Sequence, residues 1–200
     1  MMYEDQTSLF VNPSRLVLIS LNLQNSYLGT FSLCDKLNFS SSIYICCLSE
    51  FNRDAILHVN PRKYFCFINH RVALLVHRQL DSRSSIVDKK TEYVDAFVKT
   101  SDFKFYVGSI YLSPSLSLLE LKRALFKVHQ FISSRALTNV IIAEDFNAEH
   151  SSWSNSVLIS YVKKAKGQVV HDIFSQIHLF PISVPNSHNF TRINASGCVS

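Results

Sequence analysis

The chain has 200 residues, 47% of them hydrophobic and 18% charged, with a net charge of +5 and a sequence pI near 9.0. That length suits one domain with a real core, and that composition excludes a disordered chain. The basic excess is mild, because fifteen acidic residues are interspersed among twenty basic ones; it leans towards polyanionic partners without specifying them.

The opening "MMYEDQTSLFVNPSR" lacks a charged segment followed by an apolar one, so no secretory signal is read, and residues 1–14 are taken as an extension before a domain spanning 15–200. "LVLISLNL" (16–23) and "IYICCLS" (43–49) are short, branched apolar runs expected to be buried strands. In the second, adjacent Cys46 and Cys47 would point to opposite faces. The pairs "FCFIN"/"VALLVHR" and "EYVDAFVKT"/"FKFYVGSIYL" are separated by a few residues, as in antiparallel neighbours. The period then changes. Leu118, Leu121, Leu125, Val128 and Ile132 recur at helical steps behind Ser117 and Glu120, which stand in capping-box spacing. "NVIIAE" returns to strand. "GQVVHDIFSQIH" predicts a second helix through Val170, Ile173, Phe174 and Ile177, and the tail "LFPISVPNSHNFTRINASGCVS" predicts two short extended pieces. Strands of this kind mixed with two or three helices indicate an α+β or layered α/β sandwich.

The five cysteines (Cys34, Cys46, Cys47, Cys66, Cys198) are odd in number and form no CxxC pair. Buried free thiols in a reducing compartment are expected, rather than a disulfide framework or a zinc site. No run of eighteen apolar residues occurs, so no membrane span is expected. Together these readings place the chain inside the cell, in nucleus or cytoplasm, where the sequons at Asn38, Asn189 and Asn194 would go unglycosylated.

Polar residues gather at the ends of the predicted strands: Asn22, Glu50, Tyr111, and Asp145 with Asn147 in "AEDFNAEH". If the strands share one core, these ends can converge on one edge. A carboxylate such as Glu50 offers the hard oxygen that Mg²⁺ prefers, a second carboxylate can orient an attacking water, and Asn and Tyr can donate hydrogen bonds to phosphate. Each also has a plainer reading. Asn and Asp after a strand commonly turn the chain, a terminal Glu can simply be solvated, and a Tyr in an apolar strand can be core.

"VIIAEDFNAEHSSW" resembles the "GDFNAHHPLWG" signature of the endonuclease/exonuclease/phosphatase superfamily, in its non-LTR retrotransposon branch. The order of the weaker pieces agrees. "ISLNLQNS" is similar to the first-strand motif ending in Asn, and "IYICCLSEF" to the strand carrying the metal-binding Glu. "RVALLVHR" and "VGSIYLSPS" follow in family order, and "KGQVVHDIFSQIHLFPISVPNSHNFTR" resembles the stretch after the signature. The resemblance spans residues 15 to 200. It implies a four-layer α/β sandwich, two mostly antiparallel sheets face to face with helices outside, and a DNA-nicking phosphodiesterase that uses Mg²⁺ or Mn²⁺. Glu50 would be the metal carboxylate, supported by Asn22. Tyr111 would contact the scissile phosphate, Asp145 would orient or deprotonate the water, and Asn147 would stabilise the pentacovalent phosphate. His150 and Trp153 match a loop signature with no catalytic role assigned. The implied partners are DNA and a reverse transcriptase domain fused downstream.

The departures from the family pattern are specific. Glu144 stands where the family has Gly, and "NHRVALL" lacks the usual Gly-Gly pair. The chain stops at "GCVS" where the family continues into "IDL" and "SDH", so the expectation is a sandwich lacking its last strands, the distal Asp and the Asp-His pair. The alternatives are a catalytically inactive transposon-derived remnant, or a phosphomonoesterase or phospholipid phosphodiesterase of the same fold.

Overall fold

The computed structural model describes residues 16–86, 91–100, 102–134, 139–145, 147–148, 150–151, 160–179 and 192–194. Strand β1 (Leu16–Asn22) leads through helix α1 (Tyr27–Phe39) to β2 (Ile43–Ser49), which lies parallel to it. A 3₁₀ turn (Ala55–His58) precedes the antiparallel hairpin β3 (Tyr64–Asn69) and β4 (Val72–His77), and β4 pairs with β2. With the short β9 (Arg192–Asn194) antiparallel to β1, the first sheet runs β3-β4-β2-β1-β9. The second sheet comprises β5 (Asp81–Ile86), β6 (Tyr93–Lys99), β7 (Lys104–Tyr111) and β8 (Val140–Asp145), in that order. Its first three strands are antiparallel neighbours, and β8 is parallel to β7 after a crossover through helix α2 (Leu118–Ser133).

Strand alternation builds the layers. Ile43, Ile45 and Cys47 of β2, and Val72, Leu74 and Val76 of β4, turn inward to meet Val94, Ala96, Val98 and Val107 of the second sheet. Their neighbours Cys46, Leu48, Ala73 and Leu75 turn outward against Leu33, Cys34 and Leu37 of α1. The outer face of the second sheet, through Tyr93 and Ile110, is covered by Leu121, Leu125, Val128 and Ile132 of α2 and by Val170 and Phe174 of helix α3 (Tyr161–Ser175). The result is helix, sheet, sheet, helices: a four-layer α/β sandwich.

Most predicted elements are present. Cys46 and Cys47 do lie on opposite faces of β2. Helix α2 starts on its capping box, with the Ser117 side chain accepting from the Glu120 N–H and the Glu120 carboxylate accepting from the Ser117 N–H. Such a cap is worth about 1 kcal/mol. Leu118 departs from the expected face: at the first helical position it is 42% exposed, because the core begins one turn later at Leu121. Helix α3 begins at Tyr161, earlier than the sequence pattern suggested, because its first turn is capped by Ser160 and lies exposed. Of its predicted face, Val170 and Phe174 are buried and Ile173 is half-buried, while Ile177 lies in the turn beyond. Helix α1 and strand β5 were not expected. Of the predicted tail, the three residues of β9 are described; Trp153, Cys198 and the extension 1–14 lie outside the described residues. No described helix is long and apolar enough to cross a membrane.

At Gly108 on β7, a Cβ atom would fall 2.8 Å from the Tyr93 ring. The fully buried Tyr93, whose hydroxyl donates to Asp95 at 3.0 Å, uses the space a side chain would occupy.

Candidate functional site

Both parallel pairs, β1 with β2 and β7 with β8, bring their carboxyl ends to the same end of the sandwich. There Glu50, directly after β2, receives hydrogen bonds on both carboxylate oxygens. Asn22 at the end of β1 donates Nδ2–H to Oε2 at 3.0 Å, and the Tyr111 hydroxyl at the end of β7 donates to Oε1 at 2.8 Å. One donor comes from each sheet. Both are neutral, so they orient the carboxylate without themselves cancelling its charge, with which the nearby Arg71 guanidinium interacts. Asn22 is itself positioned, its Oδ1 accepting from the Gln24 N–H at 2.8 Å.

Asp145 ends β8 and pairs in register with Tyr111, so its backbone lies beside the Glu50–Tyr111 contact. Asn147 donates Nδ2–H to the Leu112 carbonyl at 3.0 Å, tying its loop to the end of β7. Asn22, Glu50 and Tyr111 are in direct contact, while Asp145 and Asn147 flank them from the adjoining strand end. His150 stacks on His171 of α3 at 4.3 Å between ring centroids.

The backbone around the site is unusual. Gln24, Asn25, Glu50, His70 and Asn147 all adopt φ between 47° and 57°. Such conformations cost non-glycine residues on the order of 1 kcal/mol each and persist where surrounding bonds hold them. For Glu50, its N–H donates to the Arg71 carbonyl and its own carbonyl accepts from the Asn25 N–H.

Sequence reasoning missed Arg71, Glu92 and Asn69. The Arg71 guanidinium lies 4.4 Å over the centre of the Tyr111 ring and grips Glu92 with two bonds of 2.7 and 2.8 Å. The Glu92 bonds, with smaller contributions from Glu92, Tyr111 and Glu50 charge, hold the Arg71 pKa above its ordinary value, so this cation stays charged. Asn69 is buried and donates across the sandwich to the carbonyls of Thr91 and Tyr93, at 2.7 and 2.9 Å. The missing Gly-Gly pair was the available signal: in "NHR", His70 takes the left-handed backbone that glycine favours, so its flanking residues must hold that turn.

Among the described residues, no group of three or more His, Cys, Asp or Glu side chains is arranged to hold a metal ion. At this edge Glu50 offers an oriented carboxylate of the hard-oxygen type, compatible with an ion that retains most of its water.

The sequence profile of the family described as "Endonuclease-reverse transcriptase" matches residues 105–199, which include Tyr111, Asp145 and Asn147. Among solved structures, the endonuclease domain of TRAS1, a telomere-specific non-LTR retrotransposon, superposes with a TM-score of 0.70 at 16% identity, covering 86% of this chain and 76% of that one. Over residues 105–199 the chain is similar to that family, and its fold is that of the TRAS1 domain. Members of the same fold include humanised D. rerio TDP2 (TM-score 0.52, 20% identity, 68% of this chain and 67% of that one). Staphylococcus aureus beta toxin is another (TM-score 0.53, 10% identity, 78% and 71%). At these identities the structural likenesses establish the fold alone. No curated protein sequence matches the chain. Asn22 and Glu50 precede the matched stretch, and their place in the site rests on the geometry described above.

Proposed function

We propose that this domain is a metal-dependent DNA endonuclease of the retrotransposon type, hydrolysing a phosphodiester at the edge where Glu50 stands. The observation that carries this reading is the Glu50 carboxylate, oriented on both oxygens by neutral donors from both sheets. A carboxylate held in this way is preorganised for a hard divalent cation. Bound Mg²⁺ or Mn²⁺ would polarise the phosphoryl oxygens and neutralise charge developing on them. Glu50 would hold the ion, with Asn22 fixing the carboxylate from the neighbouring strand. Tyr111 would orient Glu50 and present its hydroxyl towards the scissile phosphate. Asp145, in register with Tyr111, would orient or deprotonate the attacking water, and Asn147 would stabilise the pentacovalent phosphate. The DNA substrate and a fused reverse transcriptase are proposed from the "Endonuclease-reverse transcriptase" description of the matched family.

The test combines plasmid nicking with metal binding. Supercoiled DNA should be nicked with Mg²⁺, not with chelator, and not by Asp145→Ala. Calorimetric titration of Mn²⁺ should show binding that Glu50→Ala removes. Equal Mn²⁺ binding by both proteins would overturn the assignment of Glu50. DNA binding without metal-dependent turnover would leave a binding domain of the same fold, as an inactive remnant would.

A further inference from the structure

The other end of β2 carries a second concentration of charge, of opposite sign. A pocket of about 440 Å³ opens there between the loop that enters β2 and the ends of the β3–β4 hairpin, lined by Arg62, Lys63, His77, Arg78, Ser41 and Gln79. No carboxylate is among its lining residues. β2 is seven residues long, and at ~3.3 Å per residue this pocket lies roughly 20 Å from Glu50.

Two of the cations, Lys63 and Arg78, are fixed in place by groups that do not neutralise them. Lys63 Nζ donates to the carbonyls of Asn38 and Ser40, at 2.6 and 3.3 Å, closing the last turn of α1 and leaving one ammonium hydrogen. Arg78 donates Nε–H to the Pro61 carbonyl at 2.6 Å and lies 4.1 Å over the Phe65 ring. Its terminal amino groups remain as a fork suited to a phosphate. His77 Nδ1 accepts from the Gln79 N–H at 3.3 Å, which leaves Nε2–H as a neutral donor. Burial and the Lys63 charge lower the His77 pKa, in keeping with that tautomer. Exposed Arg62, Ser41 and Gln79 complete a rim of donors.

Three permanent cations, a neutral imidazole and short polar side chains form a donor-rich, acceptor-poor pocket. Its volume exceeds that of a single phosphate, leaving space for the group that bears it. We propose that this pocket is a second, non-catalytic phosphate-binding site. Its ligand is a phosphate group, carried on a nucleic-acid backbone or on a small phosphate ester. The distance from Glu50 means that any nucleic-acid segment held here is separate from the one presented to the catalytic edge.

Amide and imidazole resonances of the full chain, followed during titration with inorganic phosphate against chloride at matched ionic strength, test this. Saturable shifts at Ser41, Lys63, His77 and Gln79 are expected with phosphate only, and Arg62→Gln should weaken them roughly three- to fivefold. Arg62 is exposed and its side chain holds no element in place, so this variant should keep the fold and its spectrum elsewhere. A second titration with a short DNA duplex separates the sources. If the same resonances move, and Arg62→Gln reduces the salt slope of duplex affinity by about one, the phosphate is that of a nucleic-acid backbone. If inorganic phosphate alone moves them, the ligand is a small phosphate ester. Equal shifts with chloride, or phosphate shifts unchanged in Arg62→Gln, would overturn the site. Failure of plasmid nicking would leave this result untouched, because no catalytic residue takes part.

Discussion

The two ends of the space between the sheets are built differently. At the Glu50 end, four polar links cross from sheet to sheet: Asn69 to the carbonyls of Thr91 and Tyr93, Ser109 to the carbonyl of Leu48, Tyr111 to Glu50, and Arg71 to Glu92. At the other end the packing is apolar, with Ile43, Val76 and Leu80 in the same cluster as Val98 and Val107. Apolar packing is non-directional and tolerates small sliding, whereas hydrogen bonds fix the relative position of two surfaces. The Glu50 carboxylate takes donors from both sheets, so its orientation depends on their alignment. The polar stitching sits at the end where that alignment matters.

The largest expected effect comes from removing the charge that the stitched end surrounds. Glu50→Gln preserves size but keeps one acceptor oxygen where two donors converge, so the thermal midpoint should fall only modestly. Metal-dependent nicking should fall on the order of a thousandfold, since a bound metal contributes several kcal/mol to the transition state. Comparable nicking by the variant would remove Glu50 from the reaction.

Cutting the stitching should come next. Asn69→Ala removes two buried hydrogen bonds between the sheets and should cost about 1–3 kcal/mol in urea-unfolding stability. Val98→Ala, at the apolar end, should cost about 2 kcal/mol through the cavity it leaves. The contrast lies in activity per folded molecule: Asn69→Ala should lose it and Val98→Ala should keep it. If both variants nick equally well, alignment at the Glu50 end does not depend on the stitching.

Tyr111→Phe removes one hydrogen bond to a charged oxygen while preserving the ring beneath Arg71. A bond of this kind is worth about 1.5–3 kcal/mol, so nicking should fall roughly ten- to a hundredfold. Mn²⁺ affinity should fall in parallel, which a purely structural tyrosine would not produce.

The smallest effect is a pH dependence carried by Cys47, in the interior between the sheets. Burial pushes its thiol up to about 12 from an ordinary value of 9.0. The unfolded chain therefore releases this proton first. The stabilisation is complete below pH 9.0 and is lost as pH rises through the window to about 12. Between pH 8 and 10 the loss should be about 1 kcal/mol, read as a falling urea midpoint. Cys47→Ala should flatten part of that slope; an unchanged slope would place its origin elsewhere.

Much of this organisation is legible in the sequence because the strands are buried on both faces and read as apolar runs, β2 and β4 most clearly. Helix α2 is legible for the opposite reason, having one apolar face and a capping box. Helix α1 is not, because Leu28, Phe31 and Phe39 are exposed while Thr30, Leu33, Cys34 and Leu37 are buried. Apolar residues on all sides erase the helical period. Strand β5, "DSRSSI", has no apolar alternation and exists through its ladder to β6. At the site, strand-end placement and family resemblance drew attention to Asn22, Glu50 and Tyr111. The Arg71–Glu92 and Asn69 links stayed hidden because each joins different sheets, over twenty-one to twenty-four residues. Neither residue type nor period carries that information.

Cys46 and Cys47 give the molecule two reporters one residue apart. Cys46 becomes accessible when α1 lifts from the first sheet, and Cys47 when the sheets part. Alkylation rates at the two sulfurs, compared under native conditions, would measure two distinct opening equilibria with one reagent. Their ratio would tell whether the layers separate one at a time or the whole sandwich opens together.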